Sequence, residues 1–232
     1  MARNLEHWTG CPRPERKALE GRFARLEPLS AARHGDGLFS AATVDDAAAR
    51  FTYLPEVPPS SRADFQPWLD TAQASDDPLY FVVIDREKGV VGGRQTLMRI
   101  TEGMGVIEIG HIYWSSMIAR TPVTTEAFFL FARHVFDTLG YRRFEWKCDN
   151  ANGPSKRAAL RFGMTPEGVF RQAAVVKGKN RDTAWFSIID GEWPVLRNAF
   201  EQWLDPANFD SEGRQIRRLE ELRPKRKSND QE

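Results

Sequence analysis

Between Leu79 and Trp114 three β-patterned runs follow one another with almost nothing between them. Leu79–Asp85 is a short apolar run, residues 90–100 come after a Glu87-Lys88-Gly89 turn, and residues 106–114 follow the turn from Thr101 to Gly105. Parallel neighbours need a crossover of a dozen or more residues, so connections this short join antiparallel strands. An antiparallel meander is therefore the centre around which the rest of the chain must be arranged.

The period changes on both sides of that block. After it, Phe128, Phe131, Ala132, Val135, Phe136 and Leu139 recur at helical spacing, while Glu126, Arg133 and Asp137 fall on the other side. Gly140 is placed to cap that helix. Residues 143–148 alternate again, with Phe144, Trp146 and Cys148 facing one way. A strand reached through a helix is expected to run parallel to an earlier one. Ahead of the meander, residues 22–29 alternate as far as Pro28, and helices are predicted over the Ala-rich residues 30–50 and over 64–72, separated by the prolines from Pro55 to Pro59. Behind it come a short helix over 154–162 stopped at Gly163, a hairpin of 168–177 with 183–190, and an amphipathic helix over 193–204. The pattern predicts one α+β domain over residues 21–204, a mixed central sheet flanked by helices. Residues 1–20 read as an extension over its surface or as partly disordered, and 205–232 as a polar basic tail whose stretch 214–227 is a solvated, fraying helix.

Composition removes several function classes. The 33 Lys and Arg nearly cancel 32 Asp and Glu, and a net charge of +1 gives no general affinity for nucleic acid or a membrane surface. Cys11 and Cys148 are the two cysteines, far apart and without ligand spacing, so neither a disulfide scaffold nor a zinc site is expected. A reducing, cytoplasmic setting fits. The polar start and the lack of any run of about 20 apolar residues predict neither a secretion signal nor a membrane span.

Several short signals stand in this frame: Glu108-Ile109-Gly110, Thr125-Glu126-Ala127, Asn152-Gly-Pro-Ser155, Arg161-Phe162-Gly163-Met164 with Glu167-Gly168, and Arg181-Asp182. In this order and spacing, over residues 21–203, the chain resembles the GNAT acetyltransferases, specifically the RimJ/RimL-like N-acetyltransferases. The resemblance implies direct acetyl transfer from acetyl-CoA, a co-substrate needing no metal, to the amine of a small molecule or of a protein N-terminus, by a monomer or homodimer. A non-catalytic module that keeps the fold but binds a coenzyme or other ligand through an altered site is the alternative.

The resemblance also implies site residues. The strand-to-helix turn from Ser115 to Thr124 would hold the coenzyme diphosphate on open helix amides, through Arg120, Thr121, Val123, Thr124 and Thr125. Against the family's Gln/Arg-x-x-Gly-x-Gly/Ala loop, this sequence has Pro122 at the first glycine and Thr124 at the small residue, with Arg120 offset by one as the basic residue. Proline removes one amide donor. Asn152 would touch the pantetheine arm or cap the next helix, and Ser155 would serve the leaving thiolate or simply occupy the first helical turn. Glu108, a carboxylate among Val106, Ile107 and Ile109, is either the base that deprotonates the amine or the partner of a basic side chain. His111, three residues along, falls on the opposite strand face unless a bulge intervenes, and reads as a packed structural histidine. Cys148 reads as a buried core thiol.

Overall fold

The computed structural model describes residues 5–223. Strand β1 (Leu19–Glu20) and β2 (Ala24–Pro28) are followed by helices α1 (Ala31–Ala42), α2 (Ala47–Arg50) and α3 (Arg62–Ala74). The meander is β3 (Leu79–Asp85), β4 (Val90–Thr101) and β5 (Val106–Trp114). Then come α4 (Pro122–Arg133), β6 (Arg143–Asp149), α5 (Gly153–Arg161), β7 (Thr165–Val176), β8 (Lys179–Ile189) and α6 (Trp193–Leu204). The eight strands form one sheet in the order β1-β2-β3-β4-β5-β6-β8-β7. Every pair is antiparallel except β5 with β6, whose connection carries α4 as a crossover.

At its centre the sheet is covered on both faces, which explains why β3 is apolar without alternation, whereas β7 at the far edge is exposed along most of its length. Phe81 and Val83 point into the main core beneath α4, while Tyr80 and Val82 join a second cluster with Leu38, Phe65 and Leu69 of α1 and α3. Aromatic side chains fill the main core. Phe128 of α4 stacks on Phe162 at 4.3 Å and meets Phe144, Trp146 and Phe200 between 5.7 and 6.2 Å.

Two expectations are corrected here. Helix α4 has no polar outer face near its start, because α6 and the N-terminal strands cover it and every residue from Val123 to Ala132 is buried. Glu126 is buried there as well, and its carboxylate accepts the backbone N–H groups of Arg22, Phe23 and Ala24 at 2.5 to 2.8 Å. The other correction concerns the tail. Residues 205–223 are not a helix but an extended wrap with short 3₁₀ turns at Pro206–Asn208 and Leu219–Leu222. Leu219 is fully buried, and the Asn208 side chain ties Trp203 to Arg217 through its amide and carbonyl. The rest of that basic stretch, 224–227, lies outside the described residues. At the other end, residues 5–20 lie across the sheet edge, where Trp8 donates to the Gly103 carbonyl and Arg13 pairs with Glu102 at 2.7 Å.

Candidate functional site

Strands β5 and β6 pair only between residues 106–109 and 143–146. Beyond Ile109 they part, and the edge of β5 that faces β6 has no strand partner. A cleft of about 1490 Å³ opens there, bounded by the far halves of both strands, the start of α4, helix α5 and the loop after α2. Two irregularities in the β4–β5 register decide which side chains reach it. One lies between Arg94 and Thr96, where β5 carries an extra residue and His111 takes a left-handed φ of +45°. That bulge brings Glu108 and His111 to the same cleft, which a regular strand would forbid. The other lies between Met98 and Thr101 and puts Arg99 at φ +47°, with its side chain turned onto Glu108.

Glu108 is 3% exposed and heavily paired. Arg99 Nη1 donates to both carboxylate oxygens at 2.9 and 2.8 Å, and Lys147 Nζ lies 2.8 Å from Oε2. Lys147 is shared with Glu145 at 2.8 Å and sits 3.8 Å from the centre of the Trp185 ring. Glu145 is held in turn by Arg143, which grips Glu167 as well. The chain of charges crosses from β4 to β7: the bulge aims Arg99 at Glu108, the β5–β6 pairing sets Glu108 opposite Glu145, and Arg143, Glu145 and Lys147 follow one another on the same face of β6.

His111 belongs to a second polar group. Its Nδ1 is 3.8 Å from Glu56 Oε1, and its ring lies 5.7 Å from Tyr80. Arg94, 3% exposed, pairs with Glu56 at 3.3 Å, lies over Trp68 and donates to the His111 carbonyl. Burial pushes the Glu56 carboxyl up, but the charge of Arg94 and the His111 contact outweigh it, so Glu56 is held well below the usual carboxylate range.

Thr121 caps α4 without a side-chain bond, and its own N–H is used by the Ile118 carbonyl. Pro122 has no N–H, so Val123 and Thr124 are left as the open amides of the first turn. Arg120 precedes them in a left-handed conformation, φ +63°, and is exposed. Arg120, Thr121, Thr124 and Thr125 line the cleft; Val123 does not, since its side chain is in the core and only its amide faces the helix end. Across from them Asn152 Oδ1 accepts the Ser155 N–H at 3.1 Å, so Asn152 caps α5 and keeps its NH₂ group for other partners. Ser155 Oγ accepts from Trp146 Nε1 at 2.9 Å, which leaves the hydroxyl hydrogen to donate elsewhere. Cys148 is 5% exposed and burial raises its thiol, Ser155 pulling the other way. Among the described residues no group of three His, Cys, Asp or Glu side chains is placed to hold a metal, and no helix is long and apolar enough to cross a membrane.

The cleft thus gathers Glu108 of β5, Ser155 of α5 with its cap Asn152, and the start of α4 from three separate elements. Sequence reasoning missed Arg99, Lys147 and Glu56, and it quoted Arg161 only as part of a motif. Arg161 lines the cleft and donates to Thr125 Oγ1 at 2.9 Å. Its position at the end of the helix that carries Ser155 was the one signal available for it; Lys147 and Glu56 pair with residues far off in the sequence, and Arg99 meets Glu108 only because a bulge turns it there.

Residues 24–165 match the family model described as an acetyltransferase (GNAT) domain. The chain is similar to a GCN5-related N-acetyltransferase from Brucella melitensis, 61% identical over 94% of this chain and 99% of that one, with a TM-score of 0.93. It is similar also to a GNAT-family protein from Chromobacterium violaceum, 38% identical over 84% and 96% of the two chains, TM-score 0.76. An acetyltransferase from Salmonella typhimurium that modifies the N-terminal serine of ribosomal protein L7/L12 shares the fold at 16% identity, over 75% and 99% of the chains, with a TM-score of 0.64. No curated protein matches the chain.

Proposed function

Because the chain belongs to the GNAT family of acetyltransferases, we propose that it moves an acetyl group from acetyl-CoA directly to an amine, in the cleft between β5 and β6. The splay of those strands carries this reading. An extended, amide-bearing arm can add to the unpaired edge of β5 as a strand adds to a sheet. The open amides of Val123 and Thr124, backed by the helix dipole, suit a diphosphate at the same cleft, and Arg120 makes up in charge for the donor that Pro122 lacks. The free NH₂ of Asn152 suits a carbonyl of the arm. Bound there, acetyl-CoA supplies an activated acyl thioester and a thiol leaving group.

The side chains then have two protons to manage. An amine acceptor is mostly protonated at neutral pH, so attack requires a group that takes its proton. We assign that role to Glu108. A carboxylate has about four lone-pair positions; Arg99 fills two and Lys147 one, which fixes its orientation and leaves one for the amine or a water. Ser155, with its oxygen tied to Trp146, keeps a hydroxyl hydrogen that it can give to the departing sulfur. Cys148 stays outside the chemistry, since a thiol raised by burial is a poor nucleophile and direct transfer needs no acyl-enzyme. A second reading of the base rests on one observation: the bulge turns His111 into the cleft, with the Glu56 carboxylate 3.8 Å from its Nδ1 to favour the imidazolium that proton uptake would form.

The acceptor is a small-molecule amine or a protein N-terminus. Calorimetric binding of acetyl-CoA and a turnover screen over amino acids, polyamines, aminoglycosides and N-terminal peptides test the proposal. Saturable binding with acetylation of one amine class is the expected result. Neither heat nor a raised melting temperature at millimolar coenzyme would sink it in favour of the non-catalytic module.

A further inference from the structure

The tail that folds back along the domain does more than cover apolar surface. Phe209, Gly213, Arg214 and Gln215 line the same cleft as the start of α4, although the segment lies beyond the residues matched by the family model. A chain of contacts fixes it there. Arg161 reaches from α5 to Thr125 Oγ1 at 2.9 Å and lies 5.1 Å from the Trp203 ring; Trp203 donates to Gln215 Oε1 at 2.8 Å and meets Phe209 edge-on at 5.4 Å. Leu219 and Asn208 anchor the wrap on either side, so the loop between them is held in register over the cleft.

Arg161 is the unexplained residue of this cluster. It is half-buried and among the described residues makes no ion pair; Glu220 of the tail acts on it only at longer range. A guanidinium partly withdrawn from water, with its fork beside an open helix N-terminus, gains most from a phosphate, which it can take in two parallel hydrogen bonds. Phe209, half-buried and backed edge-on by the buried Trp203, supplies apolar surface at the same cleft, as a purine requires.

We propose that Arg161 and the loop 209–215 form the binding site for the nucleotide end of the coenzyme, a 3′-phosphoadenosine diphosphate, so that the C-terminal segment is a working wall of the site. This inference rests on the acetyl-CoA reading, and the probes separate the two. Full-length protein is titrated calorimetrically with CoA, adenosine 3′,5′-bisphosphate and pantetheine, and each mixture is digested with trypsin, for which Arg214, Arg217 and Arg218 are exposed cleavage points within the segment. CoA and the bisphosphate are expected to slow cleavage at those arginines, and pantetheine at the same concentration is not. Arg161→Gln should raise Kd for CoA and for the bisphosphate by roughly 10–100-fold, the range for hydrogen bonds to charged groups, and Arg161→Lys should recover part of the loss. The trypsin readout on the wild type stands even where a variant folds poorly. Tight CoA binding with unchanged tail cleavage and an unchanged Kd in Arg161→Gln overturns the inference and spares the acetyl-CoA reading. Wild-type protein that binds neither CoA nor the bisphosphate overturns that reading first.

Discussion

Replacing Glu108 by glutamine keeps the side chain's shape and removes both its charge and its capacity to accept a proton. The structure divides the cost into two parts. Arg99 is 58% exposed on its side chain and can turn to water when the carboxylate is gone, so its share is that of a surface pair, ~0–1 kcal/mol. Lys147 is 8% exposed and cannot, but it keeps Glu145 at 2.8 Å and the face of Trp185. Losing one of two charged partners should then cost ~1.5–3 kcal/mol, short of the ~3–5 kcal/mol for stranding a buried charge altogether. Glu108→Gln is thus expected to fold, to be destabilised by about 1.5–4 kcal/mol from these two parts together, and to lose roughly 10²–10⁴-fold in turnover from the missing base.

Urea unfolding gives the first number, and single-acceptor kinetics at saturating acetyl-CoA gives the second. Glu145→Gln is the control, because it takes the other carboxylate from Lys147 without touching the cleft. It should lose comparable stability and keep its turnover. Folded Glu108→Gln protein that works within about tenfold of wild type would remove Glu108 as the base and move the role to His111, whose own Gln variant would then carry the loss. A stability loss well beyond ~4 kcal/mol would instead refute the view that Glu145 keeps Lys147 satisfied.

Ser155→Ala should lower kcat by about 10–100-fold and stability by only ~1–2 kcal/mol, since Trp146 Nε1 loses its acceptor while Asn152 still caps α5; unchanged kcat in a folded variant would leave Ser155 a packing role. For pH, His34 is buried and burial lowers its pKa below 6.5, with the charge of Glu27 pulling it back up; His134 is lowered by burial too. The unfolded chain therefore binds more protons than the folded one as pH falls through about 6.5, so stability is full above that value and drops below it. Melting curves from pH 8 to 5 should show this fall, and His34→Gln should flatten it; an unaltered slope would remove His34 from the account.

What could be read from the sequence, and what could not, follows the range of the interactions. The meander, the crossover into β6 and the helix α6 rest on period and turn length, which are local, and the parallel pairing of β5 with β6 follows from the helix between them. Of the polar face assigned to this helix, Arg133 and Asp137 are exposed, but Glu126 is buried for a non-local reason: it is matched by three amides from residues 22–24, about a hundred positions away. The same holds for the site. Alternation in β5 puts Glu108 and His111 on opposite faces, and only a one-residue bulge, invisible in composition or period, brings them to one cleft. Glu108 itself stood out as a carboxylate in an apolar strand, but its partners are Arg99, aimed by a second bulge, and Lys147, placed by the register of β6. A charge in an apolar run therefore announces that a partner exists without naming it. On the proposed assignment of Glu108 as the base, its partners decide the chemistry: they hold the carboxylate still and leave room on it for a single proton donor, the acceptor amine or the water that serves it.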